Sequence, residues 1–402
     1  MERLIALLGL GVFVGFAYLV SINRGAIRWR PVLWGLALQL IFALFILRTA
    51  LGLAVFQWLG EVVSAFLDFS DAGAAFVFGE NFQDFFFAFK VLPTIIFFSA
   101  FISLLYHYGI LQRAVKSVAW VMMRTMKTSG SETLSAAGNI FVGQTEAPLL
   151  IKPYVETMTI SELHAVMTGG FATIAGGVLA AYVSFGISPR HLIAASVMSA
   201  PAALAISKIM YPETEVSPTQ GKVDMRVERT TANGVDAIAA GALDGLKLAL
   251  NVGALIIAFL AILAAFNALL GFLGGLFGYP DFSLELVLAT LLAPVAWLMG
   301  IPWADCAEVG MLLGKKTILN EFIAYLDLQT LIEENAISER ATIIATYALC
   351  GFANIGSIGI QIGGIGGIAP SRRADLARIS IRAMVAGTLA CFMTACIAGI
   401  LL

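Results

Sequence analysis

A short polar stretch, GQTEAP at residues 143–148, interrupts an apolar part of the chain. In the surrounding run 133–151, Glu146 is the only charged residue, and Gln144 and Thr145 stand beside it. A carboxylate at the centre of a membrane helix costs about 2.5–3.5 kcal/mol on insertion scales, so such a group needs a partner or a ligand. The stretch therefore predicts a polar binding site within a hydrophobic protein.

A second group of polar residues has similar chemistry. Glu321 lies in the segment NEF, and Asn354 and Ser357 lie in a glycine-rich segment further along. With the first stretch they offer two carboxylates, two amides and several hydroxyls. That set suits a ligand rich in hydroxyl groups and ring nitrogens, whereas an anion would require Arg. Phe352 could offer an apolar face to a flat ring, although ordinary core packing explains this residue equally well.

The two carboxylates also have a structural explanation. Glu146 and Glu321 could form ion pairs with Lys152, Lys315 or Lys316, which would make them part of the fold rather than of a binding site. The residue types leave this alternative open.

Two further side chains that carry oxygen, Asn139 and Thr173, stand near glycine breaks in apolar segments. Broken helices free backbone carbonyl groups, and ligation by oxygen alone suits a hard alkali cation. The alternatives are that Asn139 caps a helix and that the Thr173 hydroxyl bonds back to its own helix.

The composition indicates the environment of these residues. The chain has 402 residues, of which 59% are hydrophobic and 12% charged, and its mean hydropathy is +0.91. An ordinary soluble domain is about 25% charged, so these values predict a polytopic membrane protein. The net charge of −2 excludes a general electrostatic attraction for nucleic acid. The four cysteines form neither a CxxC motif nor a Cys/His cluster, which argues against a disulfide framework and against zinc.

Uncharged runs predict the spans and their direction. The segments between them are predicted to be an interfacial region at 51–90, an amphipathic surface helix at 111–127 and a polar loop at 212–235. In this arrangement the loops rich in Arg and Lys all lie on one side of the membrane. Basic loops are typically cytoplasmic, so both termini are predicted to lie outside. Eight membrane spans are predicted, at residues 4–22, 32–47, 91–108, 168–187, 191–207, 248–277, 341–370 and 383–402.

Two other apolar segments are predicted to enter the membrane and return on the same side. The first, 131–157, is broken by glycine and proline and has a lysine on each flank. The second, 286–325, has interior breaks at Pro294, Gly300 and Pro302. Non-helical backbone at membrane depth needs shielding by protein or by a water-filled cavity. We therefore expect two re-entrant hairpins that line a cavity.

The two halves of the chain share a sequence signature. GFATIAGG at 170–177 resembles GFANIGSI at 351–358, and each follows a predicted hairpin that contains a buried Glu. In the predicted topology the two segments run in opposite directions, so the units are inverted copies. Inverted repeats with glycine-interrupted helices are typical of secondary transporters that bind their substrate near the middle of the membrane.

Two other functional classes fit the residues less well. An intramembrane enzyme would need a base and a nucleophile, but His164 is the only plausible histidine base and no nucleophile stands at a useful spacing from it. A channel would not require two opposed hairpins with different polar tips, which favour alternating access instead.

At these residues the sequence resembles a known family. NIFVGQTEAPLLIKPY, GKKTILNEFIAY, CGFANIGSIGIQIGGIGGIAPSRR and VLPTIIFFSA are similar to motifs of the concentrative nucleoside transporter family, bacterial branch. The resemblance covers residues 1–402 in order and spacing.

The resemblance implies roles for individual residues. Thr173 stands where the family has a serine and keeps the hydroxyl, while Gly356 replaces a serine that can precede Ser357. The nucleobase would contact Gly143, Gln144, Thr145 and Glu146, with Val178 packed near it; the ribose would contact Glu321, Asn354 and Ser357, and Phe352 would line the pocket. Sodium would bind the side chains of Asn139 and Thr173 and the backbone carbonyls of Val142 and Ile174.

The resemblance also implies an architecture and an activity. The fold would be all-α, with eight transmembrane helices, two opposed re-entrant hairpins and interfacial helices, assembled as a homotrimer in the lipid bilayer of a bacterial inner membrane. A scaffold (1–110, with 236–280) would support an elevator-type transport domain (111–235 and 281–402). The activity would be import of uridine and related nucleosides with sodium and without an organic cofactor. The alternative is proton coupling, with Glu146 or Glu321 taking up the proton.

Overall fold

The computed structural model describes residues 1–221, 231–279 and 281–402, and in these ranges all regular secondary structure is helical. The prediction of an all-α fold is confirmed. Residues 222–230 of the predicted polar loop, and the predicted domain boundary at 280, lie outside the described residues. The α-helices are α1 (Glu2–Leu19), α2 (Trp29–Arg48), α3 (Ala50–Leu67), α4 (Ser70–Phe78), α5 (Leu92–His107), α6 (Ile110–Met126), α7 (Gly130–Gly138), α8 (Ile160–Ala172), α9 (Gly176–Ser184), α10 (Pro189–Met210), α11 (Gly234–Leu276), α12 (Leu284–Leu298), α13 (Cys306–Ile318), α14 (Glu321–Glu333), α15 (Glu339–Leu349), α16 (Ile355–Ile368) and α17 (Arg373–Leu401).

Eight helical segments of the described chain are long and apolar enough to cross a membrane, and seven of them overlap predicted spans. The eighth is Ala50–Phe78, which we expected to be interfacial. The predicted span 341–370 is instead two shorter helices, α15 and α16, separated by a break. Length and composition detect a continuous helix more readily than a broken one.

The segment Ala50–Phe78 is more regular than its sequence indicated. Acidic residues interrupt its apolar sequence, and such interruptions favour an interfacial position over a membrane span. In the structure Lys90 forms ion pairs with Asp68, at 3.5 Å, and with Asp71. These contacts offset part of the acidic charge, and helix continues through most of the stretch.

The first hairpin has the predicted shape. It consists of α7, a non-helical tip at 139–146 and a 3₁₀ leg, Ala147–Thr157, and the two legs pack against each other. At Gly138, a Cβ atom would come within 2.7 Å of Leu150 Cδ1. The absence of a side chain at Gly138 therefore lets the legs approach closely. We call residues 130–157 hairpin 1.

The bounds that we predicted for the second hairpin are wrong. Its legs are α13 and α14, which join at Leu319–Asn320, so the hairpin covers 306–333 rather than 286–325. Pro294 lies inside α12, and Gly300, with φ of 85°, makes the turn that leads from α12 toward α13. These breaks thus belong to the neighbouring helix and its connection. We call residues 306–333 hairpin 2.

The predicted repeat is visible as a repeated order of elements. Each hairpin is followed by a broken helix and then by a long helix: α8, α9 and α10 after hairpin 1, and α15, α16 and α17 after hairpin 2. The two breaks touch, because the Phe352 N–H donates to the Thr173 carbonyl at 3.2 Å. A Cβ atom at Gly351 would come within 2.7 Å of the Phe171 carbonyl oxygen, so glycine permits this crossing.

Burial is uneven among the long helices. The most apolar windows of α10 and of the α8–α9 segment are 89% and 78% buried, whereas that of the 43-residue α11 is 17% buried. The α11 helix packs closely on α5, since a Cβ atom at Gly245 would come within 2.8 Å of Ile96 Cα. The repeat elements thus form the interior, and α11 offers a long apolar surface to its surroundings.

A buried ionic cluster holds hairpin 1 at its base. Lys208, near the end of α10, lies 2.6 Å from a Glu132 carboxylate oxygen and donates to the Ser161 hydroxyl at 2.8 Å. Glu132 also accepts from the Ser129 backbone N–H, which completes a capping box at the start of α7. Because these groups are almost inaccessible to water, the charges depend on one another for compensation.

Candidate functional site

The site is organised around the first turn of α16. Asn354 caps this helix, with its side-chain oxygen accepting from the Ser357 N–H at 2.8 Å. The Asn354 amide also donates to a Glu321 carboxylate oxygen at 3.0 Å. A single capping residue thereby connects the break before α16 to hairpin 2, and it fixes the position of Ser357 one turn into the helix.

Glu321 is a buried carboxylate whose described hydrogen-bond partners are neutral. It begins α14 and is 4% exposed, and its second oxygen accepts from the Tyr182 hydroxyl at 3.1 Å. The lysines expected to pair with it are engaged elsewhere. Lys315 lies 2.8 Å from Asp327, and Lys316 donates to the Ala348 carbonyl at 2.8 Å. An ionised carboxylate accepts about four hydrogen bonds, so Glu321 keeps acceptor capacity beyond its bonds to Tyr182 and Asn354.

Gln144 connects hairpin 1 to the same helix. Its amide nitrogen donates to the Ser357 hydroxyl at 3.2 Å, and its amide oxygen accepts from Gln361 at 3.1 Å. Both hairpins are therefore joined to the first two turns of α16 by side-chain hydrogen bonds. The polar residues that the sequence singled out on separate segments do converge.

Glu146 differs from the expectation of a buried carboxylate. It is exposed at the tip of hairpin 1, and no ion pair joins it to Lys152 in the described chain. Its carboxylate lies against Gly143, where a Cβ atom would clash with it. Thr145, next to it, packs on Gly364 of α16. The Glu146 carboxylate is accessible to a ligand, and glycine provides the space for it.

The apolar candidates flank the polar network. Val178 is buried in α9, while Phe352 is half-buried in the break before α16. The backbone of Phe352 is fixed by its hydrogen bond to Thr173. These two residues provide apolar surface on the elements that carry Tyr182 and Asn354.

The oxygen atoms expected to bind a cation lie around the tip of hairpin 1 and the α8–α9 break. Asn139 is 1% exposed, and neither of its amide atoms has a hydrogen-bond partner among the described residues. Its amide lies beside Gly169, whose Cβ atom would stand 3.1 Å from the Asn139 nitrogen. The carbonyls of Val142 and Ile174, both outside helices, accept no hydrogen bond in the described chain. A buried side chain without a partner is costly unless a ligand satisfies it.

Thr173 makes the bond to its own helix that we considered as an alternative. Its hydroxyl donates to the Gly169 carbonyl at 2.9 Å. This bond uses the proton and leaves the oxygen lone pairs directed elsewhere, so it is compatible with cation ligation. Capping by the Asn139 side chain, the other alternative, is not present, although Asn139 ends α7.

Sequence reasoning missed two residues of the network, Gln361 and Tyr182. Each lies four residues beyond a residue that was identified, Ser357 on α16 and Val178 on α9. Positions i and i+4 share a helix face, so this spacing was the available signal. Both side chains are fully buried and hydrogen-bonded to identified site residues.

Three family models together match most of the chain. The model for the C-terminus of Na+ dependent nucleoside transporters matches residues 191–399, and the model for their N-terminus matches residues 8–81. A third model, described as a gate for nucleoside recognition, matches residues 88–189.

Curated relatives show the same similarity. Solute carrier family 28 member 3 is 50% identical in Eptatretus stoutii and 48% identical in Homo sapiens, and sodium/nucleoside cotransporter 1 of Homo sapiens is 47% identical. Each alignment covers 100% of this chain but 61%, 60% and 64% of the relative. The chain thus spans about three fifths of the length of these relatives.

Solved structures share the fold. CNTnw in an inward-facing substrate-bound state is 39% identical, with a TM-score of 0.94 over 100% of this chain and 98% of that one. Variants of CNTnw in an outward-facing state and in an intermediate state give TM-scores of 0.94 and 0.95.

Proposed function

Since the chain belongs to the Na+ dependent nucleoside transporters, a family of transporters rather than enzymes, we propose that it imports nucleosides, uridine among them, together with sodium. The observation that carries the proposal is the connection of both hairpins to the start of α16 through Gln144, Ser357, Asn354 and Glu321. A ligand bound among these residues would contact both halves of the repeat.

We assign separate groups of residues to the ribose and to the nucleobase. Glu321 keeps acceptor capacity for the ribose hydroxyls, and Asn354 joins it to Ser357. At the tip of hairpin 1, Gln144, Thr145 and Glu146 are assigned to the nucleobase, with Gly143 giving the backbone close approach. Val178 and Phe352 supply apolar surface for the ring.

Sodium is assigned to Asn139, Thr173 and the carbonyls of Val142 and Ile174, because the described chain leaves these oxygens unsatisfied or able to accept. Thr173 also accepts the Phe352 N–H through its backbone carbonyl. Cation binding at Thr173 would therefore steady the residue next to the nucleoside pocket. Binding of one ligand then prepares the site of the other, and the coupling is reciprocal.

The proposal extends to the arrangement of the whole protein. Residues 1–110 and 236–280 form the scaffold, and 111–235 and 281–402 form a transport domain that moves as an elevator. The scaffold helices α1 and α2 pack on α17 and α10 of the transport domain, so movement would occur along these faces. Gly35 of α2 faces the small side chain of Ala205 of α10, so no bulky side chains interlock at that contact. The assembly is a homotrimer in a bacterial inner membrane, with both termini in the periplasm.

Uptake into proteoliposomes tests the proposed function. We expect an inward sodium gradient to drive accumulation of labelled uridine, and we expect no accumulation when choline replaces sodium. Uptake driven by a pH gradient without sodium would instead support proton coupling. Absence of uptake and of binding for every nucleoside would contradict the proposal.

Replacing Thr173 with Val is expected to raise the sodium concentration for half-maximal uridine uptake about tenfold, since one oxygen ligand of the cation is lost. Thr173→Ser keeps the hydroxyl and is the matched control, with a sodium dependence close to that of the native protein. Equal effects of the two substitutions, including no effect of either, would contradict the assignment of the Thr173 hydroxyl as a sodium ligand.

A further inference from the structure

Gln361 is a fully buried amide that touches the site through another side chain. Its nitrogen donates to the Met167 backbone carbonyl at 3.1 Å and to the Gln144 side-chain oxygen at 3.1 Å. Its own oxygen is buried without a hydrogen-bond partner among the described residues. The side chain is therefore held entirely through its NH2 group.

The Met167 carbonyl determines the direction of this chain of hydrogen bonds. A backbone carbonyl can only accept, so the Gln361 atom beside it must be the nitrogen. The Gln144 atom beside that nitrogen must then be an oxygen, which turns the Gln144 NH2 group toward Ser357. The oxygen and nitrogen of a side-chain amide are nearly alike in shape, so here the hydrogen-bond network assigns the orientation of both amides.

The close packing of the two amides depends on Gly170. A Cβ atom at this position would come within 2.8 Å of the Gln361 nitrogen and 2.9 Å of Gln144 Cβ. A larger residue would push the amides away from the Met167 carbonyl. Gly170 belongs to the repeated GFATIAGG segment, and the room left by its missing side chain is filled by the two amides.

We propose that Gln361 is a positioning residue that fixes the orientation of the Gln144 amide and so determines which nucleobase edge the site accepts. The inference rests on the proposed function. With Gln144 held this way, one of its N–H groups donates to Ser357 and the other is left to donate to the assigned nucleobase. Ser357 receives one of them and keeps its own hydroxyl proton for donation. The network therefore offers donors, which favour a carbonyl oxygen on the base over an exocyclic amino group.

Two substitutions separate orientation from packing. Gln361→Met keeps the length and apolar volume of the side chain but removes the hydrogen bonds, so the Gln144 amide is free to turn. Gln361→Glu places an oxygen opposite both acceptors. That oxygen has at most one proton, and donation to Met167 then requires Gln144 to turn its NH2 group toward Glu and its oxygen toward Ser357.

The readout is the ratio of uridine affinity to cytidine affinity, since these nucleosides differ in a carbonyl and an amino group. We expect Gln361→Met to lower this ratio about threefold, and Gln361→Glu to lower it about fivefold or more, the effect of one hydrogen bond. The affinities for uridine and cytidine are measured by isothermal titration calorimetry with purified protein in sodium buffer. Gln57→Met, on the exposed face of α3, is the matched control and should leave the ratio unchanged.

If Gln361 had a purely structural role, its replacement would lower the affinities for uridine and for cytidine by the same factor. An unchanged ratio in both Gln361 variants, with or without loss of affinity, would therefore overturn the inference while leaving the proposed function intact. Failure of the native protein to bind either nucleoside would overturn both. A double-mutant cycle of Gln144→Met and Gln361→Met gives an independent check, because the two effects on the ratio should not be additive.

Discussion

Replacement of Glu321 with Gln is expected to lower uridine affinity about 100-fold. The carboxylate accepts from Tyr182 and Asn354 and keeps acceptor capacity, with its full charge, for the ribose. Gln keeps the shape and can retain both protein contacts, with the Tyr182 hydroxyl accepting instead of donating. It has one acceptor oxygen instead of two and carries no charge, so the ribose loses one hydrogen bond and the other becomes weaker. Hydrogen bonds to charged groups contribute about 1.5–3 kcal/mol, so loss of one and weakening of the other gives this magnitude.

The design separates the ribose contact from a general effect on the fold. The penalty of Glu321→Gln should be large for uridine and small for 2′,3′-dideoxyuridine, which lacks the hydroxyls assigned to Glu321. Glu333→Gln, on the exposed end of the same helix, makes the same change of charge and should leave both affinities unchanged. An equal penalty for the two nucleosides would contradict the assignment of Glu321 to the ribose.

Replacement of Lys208 with Met is expected to lower the free energy of unfolding by about 3–5 kcal/mol, because it leaves the Glu132 carboxylate buried without its counter-charge. Lys208 is 7% exposed in its side chain and Glu132 is 2% exposed, so water cannot replace the lost contact. The measurement is reversible unfolding in mixed micelles with SDS.

Two further variants show whether the uncompensated charge is the cause. Lys247→Met removes an exposed lysine that lies 3.5 Å from Asp244, and we expect a change below about 0.5 kcal/mol. Adding Glu132→Gln to Lys208→Met should recover part of the lost stability, since a neutral amide needs no counter-charge. A loss in Lys208→Met as small as that in Lys247→Met would show that the cluster contributes little.

Much of the framework could be predicted because it depends on local sequence. Glycine and proline mark the tip of hairpin 1, and long uncharged runs mark seven of the spans. The similarity of GFATIAGG and GFANIGSI locates the two breaks. Gln144 and Glu321 were identifiable as candidate site residues because polar groups are rare in such surroundings.

The remainder depends on contacts between distant parts of the chain. Tyr182 meets Glu321 across 139 residues, and Gln361 meets Gln144 across 217, and no local pattern encodes either pairing. The bounds of hairpin 2 were wrong because proline and glycine mark a turn without showing which two helices pack across it. Lys208 was not singled out, since its burial follows from tertiary packing alone.

The crossing of the two breaks also has an electrical consequence. Helices α8 and α15 end there and α9 and α16 begin there, so two C-terminal and two N-terminal helix ends meet. Each end carries a partial charge of about half a unit, negative at a C-terminus and positive at an N-terminus, and the opposed dipoles largely cancel. The net potential at the crossing is then set by side chains, and here the Glu321 carboxylate is accompanied by the Lys316 ammonium, which donates to the Ala348 carbonyl in the last turn of α15. With the helix ends opposed and one buried charge of each sign beside them, the crossing suits the uncharged ligand that we propose, since such a ligand needs no counter-charge there.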